Sequence, residues 1–206
     1  MQTPTRQAPF SAKSSNQPPK KPKNKDQRSR EYLTQMEVDR LRRAARAYGR
    51  HGHRDDTLIL MMFRHGLRVS EAIALRWEQV DLQQGLLHVH RLKNGTPSTH
   101  PLRGVELRAL RQLQRDYPET THLFMSERQA PLTDRSVRHI IARAGRLAKV
   151  HFTLHPHMLR HSTGFHLANK GVDTRAIQSY LGHANIKNTV IYTELSPQRF
   201  KDFWQD

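Results

Sequence analysis

Apolar residues recur at helical spacing through most of the chain beyond residue 31. Thr34 and Glu37 form an S/T-x-x-E capping box ahead of Val38, Leu41, Ala45 and Tyr48, which predict the inner face of a helix. Residues 58–63 are an unbroken apolar run, read as a buried helix that Gly66 closes. Ser70 is a candidate cap for a short helix running to about Trp77. The period then falls to two. Leu87 and Val89 alternate with His88 and His90, which predicts a strand, and Asn94-Gly95 signals a hairpin turn to a partner strand over 99–102. Helices are predicted near 105–116 and 134–148, the second from its stripe of Val137, Ile140, Ile141, Ala144 and Leu147. A further helix is expected over 158–169, stopped by Gly171. Asp173 caps another that ends at Gly182, and Ser196-Pro197 opens a last one. No internal repeat is present. The predicted fold is mainly α with a small antiparallel β-sheet, in the α+β class.

Residues 1–30 do not share this pattern. They hold five prolines and eight Lys/Arg against one acid, Asp26, with almost nothing apolar to bury. Such a segment is expected to be a disordered basic tail, either a flexible leader or a nonspecific contact for phosphates. The folded domain is expected to span 31–206. Across all 206 residues, Lys+Arg is 35 and Asp+Glu 18, a formal net charge of +17. An excess of that size draws polyanions, nucleic acid above all. With no cysteine, a disulfide framework and a thiolate metal site are both excluded. The longest apolar run is too short to cross a bilayer, and the N-terminus lacks the apolar core of a signal peptide. A soluble cytoplasmic protein associated with the nucleoid is therefore expected.

Six polar residues suggest chemistry on a phosphodiester: Arg68, Lys93, His157, Arg160, His183 and Tyr192. Guanidinium groups clamp phosphoryl oxygens, an ammonium can protonate a departing oxygen, and a phenol can attack phosphorus. No cofactor or metal is required, and no acidic cluster is available for a magnesium pair. On a helix, His157, Arg160 and His161 share one face. Glu71 can orient Arg68 or cap its helix. Each residue taken singly also has an ordinary reading: Lys93 as a solvated turn lysine, Arg68 as a loop arginine, His183 as a capping histidine. Tyrosines at 32, 48, 117 and 180 make residue type alone no guide to position 192. The pair His157 and His161 also has the i, i+4 spacing of a zinc helix, but Met158 stands where H-E-x-x-H needs glutamate.

The ordered set resolves the choice by resemblance. Gly66-Leu67-Arg68-Val69-Ser70-Glu71, Lys93 at a hairpin, His157-x-x-Arg160-His161, Leu181-Gly182-His183 and Ile191-Tyr192-Thr193 together resemble the catalytic domain of tyrosine recombinases, the phage integrase family. The segments at 90–93, 155–161 and 177–183 are similar to those of the short recombinases that invert fimbrial promoter switches. The resemblance covers about residues 31–195. It implies the recombinase catalytic-domain fold and a site-specific recombinase that acts through a 3′-phosphotyrosyl link formed by Tyr192. Arg68 and Arg160 would stabilise nonbridging oxygens, and Lys93 would be the general acid. His157 would assist proton transfer at the tyrosine, His183 would hydrogen-bond the phosphate, and Glu71 and His161 would support them. It also implies double-stranded DNA carrying inverted repeats, a homotetramer on that DNA, and DNA-bending accessory proteins. A non-catalytic DNA-binding regulator on the same scaffold is the alternative.

Overall fold

The computed structural model describes residues 30–91, 95–200 and Trp204. Residues 1–29 of the expected basic tail, Lys93 and Asn94 of the hairpin turn lie outside the described residues. Helix α1 (Gln35–Ala47) begins at the capping box, with Thr34 and Glu37 satisfying each other's backbone N–H groups. Its inner face is Val38, Leu41, Ala44 and Ala45, whereas Tyr48 is the C-cap and 58% exposed. Helix α2 (Gly52–His65) buries its whole apolar run and ends at Gly66, whose φ of 58° suits a residue without Cβ.

Helix α3 (Val69–Ile73) is shorter than expected and starts one turn edge earlier. Arg68, not Ser70, is its N-cap, because the Glu71 carboxylate reaches back to the Arg68 N–H at 2.9 Å. A 3-10 turn at Trp77–Gln79 leads into the sheet. The sheet has three antiparallel strands, β1 (Val80–Asp81), β2 (Leu86–Val89) and β3 (Ser98–Pro101), in that order. The short β1 is additional to the predicted pair. Register pairs Leu87 with His100 and Val89 with Ser98.

Helices α4 (Gly104–Asp116) and α5 (Asp134–Leu147) follow, then α6 (Pro156–Asn169), α7 (Thr174–Leu181) and α8 (Lys187–Leu195). In α5 the apolar stripe is buried except Leu147, which is 40% exposed. Pro156 at the first position starts α6 two residues before the expected boundary. Helix α8 was not predicted. The last expected helix is a 3-10 turn, Pro197–Phe200, within the described residues.

One core joins α1, α2, α5, β2 and the Met158–Leu159 side of α6. Each large aliphatic side chain sealed there contributes about 1.5–3 kcal/mol over its exposed state. A smaller cluster of Ala168, Ile177, Leu181 and Tyr192 binds α7 and α8 to the far end of α6. Helix α6 thus belongs to both, and its polar face lies between them. Its hydroxyls tie it further: Ser162 Oγ accepts the Leu33 N–H at 2.7 Å, and Thr163 Oγ1 donates to the Phe63 carbonyl. No helix among the described residues is long and apolar enough to cross a membrane.

Candidate active site

The turn after α2, the start of α6 and the end of α7 meet on one side of the core. Arg160 joins all three. Its side chain is 1% exposed, and it donates to the Gly66 carbonyl at 2.5 Å and the Leu181 carbonyl at 2.7 Å. Gly182 ends α7 with φ 65°, and this turn brings His183 toward the same place. Arg68 Nη1 bonds Glu71 Oε1 at 2.7 Å while remaining partly open to solvent. Arg160 Nη1 lies 4.0 Å from the second Glu71 oxygen. Glu71 is the carboxylate between these arginines, and its pKa is held below the ordinary value. Burial alone would raise it, but the Arg68 N–H and the charge of Arg91 outweigh that. Burial, followed by repulsion from Arg68 and Arg91, lowers Arg160 to about 10. It therefore remains a cation at neutral pH.

Tyr192 projects from α8 into the small cluster and is 4% exposed. Its hydroxyl lies 3.0 Å from His161 Nδ1. The His183 ring is near-parallel to the phenol at 6.3 Å between centroids. His183 Nδ1 meets the Thr189 hydroxyl at 2.9 Å, which leaves Nε2 for another partner. The His157 ring stands edge-on to His161 at 4.5 Å and keeps solvent access on one side. Desolvation is the main reason these imidazoles are hard to protonate: His157 falls to about 4, His183 to about 3, and His161 lies below its usual 6.5. Arg160 and the neighbouring histidines add to the effect. Burial raises the Tyr192 phenol to about 12, although Arg160 and Arg68 pull the other way.

Arg68, Glu71, His157, Arg160, His161, His183 and Tyr192 are therefore gathered in one place, and Lys93 lies outside the described residues. Two guanidinium groups and three imidazoles thus stand beside a phenol, a donor set suited to an anion. Among the described residues, no group of three or more histidine, aspartate or glutamate side chains is arranged to hold a metal. One buried member of the site was not picked out from the sequence. Arg91, just past β2, donates to Glu71 Oε2 at 2.9 Å and to the His65 and Tyr180 carbonyls at 3.2 and 2.5 Å. The alternation of β2 carried the signal. Leu87 and Val89 are buried and His88 and His90 exposed, so the next inward position is 91.

Comparison with known proteins agrees with this geometry. The family model "Phage integrase family" matches residues 31–199. The chain is 44% identical over 188 residues to the type 1 fimbriae regulatory protein FimB of Escherichia coli K12, covering 88% of this chain and 94% of FimB. It is 41% identical over 182 residues to FimE of the same strain, covering 85% and 91%. Among solved structures, the XerA recombinase superimposes with a TM-score of 0.72 at 27% identity, covering 84% of this chain and 63% of XerA. With its mainly helical fold, small antiparallel sheet and this cluster of residues, the chain belongs to the phage integrase family and is a site-specific DNA recombinase of the tyrosine type.

Proposed function

We propose that this recombinase inverts a DNA segment bounded by inverted repeats, and so switches expression of a fimbrial or similar phase-variable gene. The similarity to FimB over nearly the whole of that protein supports the fimbrial reading. The observation that carries the chemistry is the meeting of the Tyr192 hydroxyl with His161 beside the Arg68–Glu71–Arg160 cluster.

In this reading the Tyr192 oxygen attacks the scissile phosphorus. The phenol proton passes to His161 Nδ1, with His157 beside it as the route to solvent. The bond from phosphorus to the 5′ oxygen breaks, and Lys93 supplies the proton that this oxygen takes. The product is a 3′-phosphotyrosyl link with a free 5′ hydroxyl. Attack by a 5′ hydroxyl reverses the step, so rejoining needs no nucleotide cofactor. Arg68 and Arg160 hold the nonbridging oxygens, and His183 donates to one of them through Nε2. Against a phenol pKa of about 12, forming the free phenolate at pH 7 costs about 7 kcal/mol. One preorganised donor to the developing oxyanion contributes about 3–4 kcal/mol, so two arginines together match that cost.

Strand exchange between two duplexes uses four nucleophiles, so the working species is a homotetramer on DNA, aided by DNA-bending proteins. Residues 31–206 form the catalytic domain, and the basic 1–30 segment adds phosphate contacts near the nucleoid. The test is a suicide DNA substrate carrying the repeat. The native chain should form an SDS-resistant protein–DNA adduct and Tyr192→Phe none. DNA binding without any adduct from the native chain would favour the non-catalytic regulator instead.

A further inference from the structure

The Arg91 side chain is 0% exposed beside the site. Besides its bonds to Glu71, His65 and Tyr180, its Nη1 reaches toward the Gly66 carbonyl at 3.5 Å. The aliphatic stem is clasped by two glycines. A Cβ on Gly95 would come within 2.6 Å of Arg91 Cβ, and one on Gly182 within 2.7 Å of its Cγ. Three guanidinium groups thus surround a single carboxylate, Glu71.

Stability does not account for this arrangement. Removing a guanidinium from water costs several kcal/mol, and well-packed apolar replacements for buried ion pairs are often neutral or stabilising. The bonds that Arg91 makes point to another role. Glu71, which it holds through one oxygen, aligns Arg68 through the other. The Gly66 carbonyl it approaches is also an acceptor for Arg160. The Tyr180 carbonyl precedes the Leu181 carbonyl that Arg160 holds, at the end of α7 from which His183 emerges.

We propose that Arg91 is a positioning residue for the phosphate clamp, fixing Arg68 through Glu71 and seating His183 through the C-terminal end of α7. This rests on the reading above, in which Arg68, Arg160 and His183 hold the scissile phosphate. A planar fork meets acceptors on three elements at once, and a lysine ammonium lacks that fixed geometry.

Arg91→Met retains the stem that fills the space between the glycines, and Arg91→Lys retains the charge. Arg91→Met, which takes a partner from Glu71 and from the His65 and Tyr180 carbonyls, is expected to unfold at lower denaturant, and Arg91→Lys less so. Both are expected to remain folded and to bind DNA with unchanged affinity. Both should slow single-turnover adduct formation by about 10²-fold, the loss that a misplacement of about 1 Å brings. The discriminating substrate carries a methylphosphonate at the scissile position, where a methyl group replaces one nonbridging oxygen and the phosphorus centre is neutral. A clamp for negative charge matters less there. The defect of the Arg91 variants should shrink about tenfold or more, in parallel with that of Arg68→Ala. An equal Arg91 defect on both substrates, with a shrinking Arg68→Ala defect, would overturn the inference and leave the clamp reading intact. An undiminished Arg68→Ala defect would remove the clamp reading and the inference with it. If Arg91→Met fails to fold, Arg91→Lys carries the test. If both fail, Arg91 is a stability residue and the inference is wrong.

Discussion

The Nδ1 atom of His161 stands 3.0 Å from the hydroxyl of Tyr192, and no other imidazole among the described residues is hydrogen-bonded to that oxygen. A histidine can accept the phenol proton only while neutral. Burial lowers the His161 pKa below its usual 6.5, and acceptance is lost as pH falls through that lowered value. The rate of adduct formation should therefore show an acid limb displaced to lower pH than that of an ordinary imidazole. His161→Ala should lower the rate by about 10²-fold or more and abolish that acid limb. Single-turnover pH profiles of the two proteins decide the point. An unchanged limb in the variant would assign it to another group.

Thr189 is fully buried and holds His183 Nδ1 at 2.9 Å. When its hydroxyl donates there, the ring carries its proton on Nε2, the tautomer that can bond a phosphoryl oxygen. Thr189→Val keeps the shape and deletes that donor. Adduct formation should fall about five- to tenfold, in line with one hydrogen bond of about 1 kcal/mol, with DNA affinity unaltered in a gel shift. A native rate in this variant would mean that Thr189 does not set the tautomer.

Gly164 lies on α6 beneath Tyr192, where an added Cβ would come within 2.4 Å of the phenol ring. Alanine would ordinarily favour the helix by about 1 kcal/mol. The collision should dominate, with overpacking costing about 1–3 kcal/mol. Gly164→Ala should therefore unfold at lower denaturant and make Tyr192 more reactive toward nitration, read by peptide mass spectrometry. A variant with native stability and an unreactive Tyr192 would show that α8 yields without releasing the ring.

The carboxylate of Glu71 has a folded pKa below its ordinary 4.5. Its contribution is present above the unfolded pKa and disappears as pH falls through the folded one. Glu71→Gln should cost about 3 kcal/mol at pH 7, since breaking a buried pair leaves charge uncompensated. The gap between native and variant urea midpoints should close as pH falls below the ordinary 4.5 and through the lowered pKa. A gap that persists there would assign the loss to packing instead.

Much of this molecule was legible in its residues. The capping box at Thr34 and Glu37, the stripe of α5 and the period-two run of β2 each fold as the pattern dictates, because local preference and burial agree there. The residues that meet beside Tyr192, with Lys93 outside the described ones, were named as an ordered set rather than by type. Helix α8 was not legible. Ile191 and Leu195 are 41% and 60% exposed while Thr189 and Tyr192 are buried, so its polarity runs against the usual inside–outside rule. The cap of α3 was misplaced because Ser70 has the better capping side chain, yet Glu71 reaches back to bond the Arg68 N–H. Arg91 was passed over because arginine is rarely enclosed without a partner, and the carboxylate that neutralises it lies twenty positions away.

The two carbonyls gripped by Arg160 have a thermodynamic consequence. A long cationic side chain ordinarily loses about 2 kcal/mol of rotational freedom when it is immobilised on a ligand. Here the guanidinium is already stationary, held between Gly66 and Leu181 before any DNA arrives. That immobilisation occurs during folding and is shared across the whole cooperative unit. Encounter with a phosphodiester therefore need not restrict this arm further, and the attraction at position 160 can go into lowering the barrier.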